Sequence, residues 1–84
     1  MTYEEKVRWL RRYRDSLRLE RTLREAVRRE VVAVLDQVAD ARDHEILRRR
    51  YLLGQRFEEI AVEMCLEYRW VRRRHKRAVS DLPI

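Results

Sequence analysis

One glycine, one proline and one cysteine are spread over 84 residues, and each scarcity closes off a class of protein. With almost nothing to punctuate strands or hairpins, a β-rich fold is excluded and an all-α chain is expected. The lone cysteine, Cys65, rules out an intrachain disulfide and lends no support to an oxidising compartment. Long apolar runs are missing too. None approaches the ~20 residues a membrane span needs, and the first residues lack the apolar block of a secretory signal. A cytoplasmic protein with no membrane partner is the expectation. Catalytic vocabulary is equally thin: there is no glycine-rich phosphate loop, hydroxyl side chains are few, and His44, His75 and Cys65 share no metal-ligand spacing. Neither an enzyme nor a bound metal or cofactor is expected.

What the sequence has in abundance is charge. Charged residues make up 43% of the chain, with 21 basic against 15 acidic side chains and a net charge of +6, which points to a polyanionic partner. The surplus is uneven. Residues 1–39 carry ten basic and seven acidic side chains, residues 40–67 five and seven, and residues 68–84 six and one. The cationic surplus therefore sits at the carboxyl-terminal end. A chain of this length supports one small core rather than two independent ones.

From Tyr3 to Val38 no glycine or proline interrupts a run of arginine, glutamate, leucine and alanine, all favourable in helices. One helix of about 36 residues, ~54 Å long, is predicted there. Its apolar residues fall in two sets. Tyr3, Val7, Leu10, Tyr13 and Leu17 share one face, and Leu23, Val27, Val31, Val34 and Val38 share another, rotated by roughly 100°. The second set is suited to cover the rest of the chain. The first would overhang it, and an apolar stripe without cover calls for a second copy, so a homodimer through Tyr3, Val7, Leu10, Tyr13 and Leu17 is expected. The domain division that follows is residues 1–39 as a long amphipathic dimerisation helix and residues 40–84 as the domain that carries the cationic surplus.

Asp40 begins the next helix as an N-cap acceptor with Asp43 three residues on, and Gly54 ends it in a left-handed conformation. Phe57 opens a short helix, FEEIAVEM. Residues 65–67 form a turn, and a last helix over 68–80 carries the basic cluster. Ile46, Leu47, Tyr51, Leu52, Phe57, Ile60, Ala61, Met64, Leu66, Val71, Ala78 and Leu82 are the predicted core of these three helices. A short helix, a three-residue turn and a following helix are the layout of a helix-turn-helix.

On the last helix, Arg69, Arg72, Arg73, Lys76 and Arg77 spread over a broad face opposite Val71, Ala78 and Leu82. Arginine outnumbers lysine five to one there, and its planar fork matches both phosphate and the O6/N7 edge of guanine. The helix supplies these groups with few local carboxylates, whereas the amino-terminal helix interleaves both signs. Arg48 and Arg49 form a second basic run able to reach backbone phosphate. Arg50 is instead expected to pair with Glu59 or Glu63. Trp70 and His75 read as packing residues before they read as ligand contacts.

The segment EILRRRYLLGQRFEEIAVEMCLEYRWVRRRHKRAV resembles the helix-turn-helix of sigma-factor region four, in which a Leu-x-x-Arg-Tyr-x-x-Gly stretch precedes a Glu-Glu-Ile-Ala helix and a recognition helix ending near Arg-Ala. Leu47, Arg50, Tyr51, Gly54, Glu59, Ile60, Ala61, Val71, Arg77 and Ala78 carry the resemblance, which covers residues 44–82. With its charged amino-terminal half, the chain looks closest to short phage and prophage transcriptional regulators of the RinA and ArpU kind. The resemblance implies a recognition helix in the major groove, with Tyr68, Arg69, Arg72 and Arg73 facing the bases. The chain departs from the pattern at Cys65, where glycine is common, at Glu67, where serine or threonine is common, and at Arg56 before Phe57. A sequence-specific regulator of transcription that binds double-stranded DNA is the leading expectation, with RNA polymerase as a further partner. The alternative is a helical adaptor that binds RNA polymerase or a phage packaging protein rather than DNA.

Overall fold

The computed structural model describes residues 1–84 and is helical throughout, without strands. Its elements are α1 (Tyr3–Leu10), α2 (Arg12–Asp15) followed by a 3-10 turn over Ser16–Arg18, α3 (Arg21–Leu35), α4 (Ala41–Tyr51), α5 (Phe57–Glu63) and α6 (Tyr68–Ser80). No helix is long and apolar enough to cross a membrane.

The single amino-terminal helix expected over residues 3–38 is broken. Its longest dimension could not fit, because a straight helix of that length would span ~54 Å and the molecule's largest extent is 37 Å. Thr2 starts α1 with a capping box, its hydroxyl accepting from Glu5 N–H while the Glu5 carboxylate accepts from Thr2 N–H. The chain then tightens. Ser16 Oγ donates to the Tyr13 carbonyl at 2.6 Å, Leu19 is extended, and Glu20 restarts the helix by accepting from Thr22 N–H at 3.0 Å. Local propensity is indifferent to this break; packing decides it. The bend lets α1–α2 and α3 lie side by side, tied by Arg12 to Glu30 at 2.8 Å, and buries Leu10, Val31 and Leu35 together.

That hairpin overturns the overhanging-helix picture. Leu10, Val31 and Leu35 share one core with Leu47, Tyr51, Ala78, Val79 and Leu82, so residues 1–39 and 40–84 are built around a common interior. Tyr3, Val7 and Tyr13 pack against the same cluster, and of the five residues expected to form a dimer contact only Leu17 is exposed. The face that prompted a homodimer is thus used inside the chain. Among the second set, Val31 is buried and Val27, Val34 and Val38 pack against the core, while Leu23 is exposed. A smaller cluster of Ile46, Ile60, Ala61 and Val71 joins α4, α5 and α6, with Phe57, Met64, Leu66 and Trp70 around it. Four residues expected inside are only partly buried: Leu52, Phe57, Met64 and Leu66. Two that were not foreseen, Leu35 and Val79, are fully buried.

One cation locks the arm to the end of the chain. Lys6 is buried and its Nζ donates to the carbonyls of Ser80 at 2.6 Å and Leu82 at 2.8 Å. These oxygens lie at the carboxyl end of α6, where a positive charge is favoured by the helix dipole.

Candidate nucleic-acid interface

The turn between α5 and α6 is set by backbone chemistry. Glu59 reaches back to accept from Arg56 N–H at 3.0 Å, which caps α5 in place of a hydroxyl at its start. Cys65 adopts φ 56°, the left-handed conformation for which glycine is the usual choice. The thiol is exposed. Leu66 N–H then bonds to Ala61 carbonyl at 2.9 Å and closes the end of α5. At the end of α4, Gly54 has φ 73°, as its place after that helix requires.

These joints hold α6 with Val71, His75, Ala78 and Val79 inward. At ~100° per residue the opposite face carries Arg69, Arg73, Lys76 and Arg77, with Arg72 on one flank and Arg74 on the other. Tyr68, Arg69, Arg72, Arg73, Lys76 and Arg77 are all exposed. Apart from Arg74, none of these cations makes an ion pair, and Asp81, four residues beyond Arg77, makes none with it. Arg72 Nη1 donates to Tyr68 Oη at 2.9 Å, an interaction that raises the arginine's pKa and orders the start of α6. Its guanidinium also lies 5.4 Å from the Phe57 ring. Lys76 Nζ sits 5.7 Å over Tyr3. A groove of about 470 Å³ runs between Tyr3 and Phe57 on one side and Arg72, Arg73, Lys76 and Arg77 on the other.

Arg74 behaves differently. Its guanidinium donates to both oxygens of Asp43, at 2.7 and 3.1 Å, and meets Asp40 at 3.2 Å. Asp43 also supplies the backbone N–H, at 2.9 Å, that the N-cap carboxylate of Asp40 accepts. The two acids at the start of α4 thus serve the helix and neutralise one cation of α6. The hydrogen bonds to Asp43 raise the Arg74 pKa, and the N–H of Asp43 lowers that of Asp40. Trp70 packs on the smaller core cluster with Arg74 at 5.1 Å and Arg42 at 5.9 Å from its ring, a packing role rather than a free stacking platform.

The run on α4 is also engaged. Arg48 forms a fork with Glu45, 2.8 Å at each oxygen, and Arg49 meets Glu45 at 2.7 Å and Glu63 at 3.2 Å. The Arg48 hydrogen bonds, followed by that of Arg49, pull the Glu45 pKa down to about 2. The two candidate phosphate contacts on this helix are therefore already occupied by carboxylates. Arg50 pairs with neither Glu59 nor Glu63: it donates to the Gln55 carbonyl at 3.1 Å and lies 4.3 Å over Phe57.

His75 is structural. It is buried between Tyr51, whose hydroxyl is 2.6 Å from Nε2, and Tyr3, whose hydroxyl is 3.5 Å from Nδ1. A neutral ring protonated on Nδ1 satisfies both contacts. Burial first, then the positive charges of Arg50, Arg72 and Arg11, push its pKa down to about 4. Burial likewise pushes the Tyr51 pKa upward.

Tyr3, Phe57, Arg8 and Arg11 line the ground beside α6 but were not foreseen as site residues. Their signal was the Tyr3–Val7–Leu10 stripe itself, which brings α1 alongside α6 once it is assigned to the interior. Comparison with family models, with curated proteins and with solved structures found no match to this chain.

Proposed function

We propose that the chain binds double-stranded DNA, with α5 and α6 acting as a helix-turn-helix and α6 lying in the major groove, and that it regulates transcription. The observation that carries this reading is the face of Arg69, Arg72, Arg73, Lys76 and Arg77: exposed, on a helix whose other face is core, and free of carboxylate partners. Uncompensated charge of one sign is costly to hold together and becomes favourable against phosphate. Guanidinium forks on such a face can read guanine edges as well as grip the backbone. The left-handed Cys65 supports the reading, because it supplies the tight connection that a helix-turn-helix needs.

The test is selection of bound duplexes from a randomised pool at physiological salt. Enrichment of a motif is the expected result. Failure of any motif to emerge, with duplex binding that still falls steeply with salt, would reduce the function to non-specific nucleic-acid binding.

A second reading is a protein adaptor docking on RNA polymerase or on a phage packaging protein. It is favoured by the apolar patch of Val62, Leu66 and Tyr68 beside Glu58, in which Val62 is 77% exposed. Duplex affinity that is weak and insensitive to salt favours it over DNA binding.

A further inference from the structure

The α6 face is not the only cationic surface that lacks a counter-ion. Arg11 and Arg14 in the amino-terminal arm and Arg50 in the last turn of α4 line one cavity of about 320 Å³ with Tyr51 and Asp15. None of the three arginines joins an ion pair. Asp15, the one acid in the wall, is itself unpaired. Three guanidinium groups turned on one concavity repel each other, and a multivalent anion removes that cost.

One of the three is held in place. Arg50 is fixed by the Gln55 carbonyl and the Phe57 ring. The Arg14 guanidinium occupies the space beside Gly54 into which a Cβ would project. Gly54 takes a positive φ, and the lack of a Cβ there leaves room for the Arg14 guanidinium. A guanidinium fork recognises phosphate bidentately, which lysine does not, and the Arg50 fork is already positioned.

We propose that Arg11, Arg14 and Arg50 form a second phosphate-binding site. It lies at the far end of a trough that begins beside α6. A cavity of about 670 Å³ shares Arg11, Arg50 and Tyr51 with this site, and Tyr3, Phe57 and Arg72 with the groove along α6. The phosphate can come from two sources. One is the backbone of the duplex held by α6, which rests on the function proposed above. The other is inorganic phosphate or a phosphate monoester from solution.

The experiment follows the arginine Nε–Hε resonances of the full chain during titration with inorganic phosphate at constant ionic strength. The salt dependence of duplex affinity is then measured for the wild type and for R11Q/R14Q, both exposed positions. Saturable shifts at Arg11, Arg14 and Arg50, abolished in R11Q/R14Q and weakened several-fold in Arg14→Lys, are the expected result. If duplex phosphate is the source, the log–log salt slope of R11Q/R14Q is shallower by about 0.9 for each phosphate that the arginines no longer neutralise. An unchanged slope alongside saturable phosphate shifts assigns the site to free phosphate. Absence of those shifts together with an unchanged slope overturns the site. A wild-type chain with no duplex affinity overturns the role given to α6 instead, and the phosphate titration still decides the site.

Discussion

The chain contains two runs of three arginines, Arg48-Arg49-Arg50 in α4 and Arg72-Arg73-Arg74 in α6, alike in sequence and unlike in fate. In α4 the first two residues are claimed by Glu45, three and four positions earlier, the spacing at which helix side chains meet. In α6 the position equivalent to Glu45 holds Arg69, so Arg73 finds no partner, and Arg72 finds only the hydroxyl of Tyr68 four residues earlier. Arg74 is claimed from outside its helix by Asp43. How many cations a run offers to a ligand therefore depends on what stands one helical turn before it and on where a neighbouring helix begins.

His75 gives the largest way to probe that difference, because Arg50 of one run and Arg72 of the other both help to lower its pKa. The unfolded chain takes up a proton near pH 6.5 while the folded ring resists until about pH 4. Stability should therefore fall as pH drops between those values and level off below them, by at most about 3 kcal/mol. Urea unfolding from pH 7 to pH 4 checks this, and His75→Phe should lose that part of the pH dependence.

The double variant Asp40→Asn/Asp43→Ala converts Arg74 into a second Arg73, because Asp40 at 3.2 Å still pairs with it when Asp43 alone is removed. Removing both carboxylates that its guanidinium meets should lower the urea midpoint, and it should add one free cation to the α6 face, steepening the salt dependence of duplex binding. Arg73→Ala and Arg49→Ala form the next contrast. The first should weaken duplex binding by about 1–3 kcal/mol with little effect on folding. The second should leave binding intact and cost about 1 kcal/mol of stability. Equal effects of the two on binding would dissolve the distinction between the runs.

The smallest expected effect comes from Glu45→Gln, which frees Arg48 of its carboxylate and leaves Arg49 with Glu63 alone, so that α4 moves partway toward α6. Duplex binding at low salt should strengthen a few-fold and its salt dependence should steepen. The carboxylate's contribution to stability is present above its unfolded pKa near 4.5 and is lost as pH falls through about 2. The variant should lack that acid limb.

The elements around α6 were legible because local chemistry specifies them. Asp40 caps α4, Gly54 and Cys65 take the two positive-φ positions, and the apolar spacing of Ile46, Leu47, Ile60, Val71 and Ala78 locates the interior. The amino-terminal break was not legible from propensity, since Leu19 and Glu20 bear no glycine or proline signal. The roughly 100° phase jump between the Tyr3–Leu17 and Leu23–Val38 stripes was the visible trace of two helices rather than one. The assignment of that first stripe to a second copy failed because burial against a distant part of the same chain satisfies the pattern equally well. The exposed cations of α6 were readable as a set. Which of the others had partners was not, because Arg49 to Glu63 and Arg74 to Asp43 depend on tertiary placement.

The Lys6 hydrogen bonds to Ser80 and Leu82 join positions 74 and 76 residues apart, so with the Tyr3–His75 contact they close nearly the whole chain into a loop. Closing so long a loop is only modestly dearer than closing one of half its length, by about 0.6 kcal/mol, but it is late in folding because distant contacts must wait for the local ones. Release of that lysine would fray both extremities together. Amide exchange at the start of α1 and at the end of α6 should accordingly share a single opening free energy.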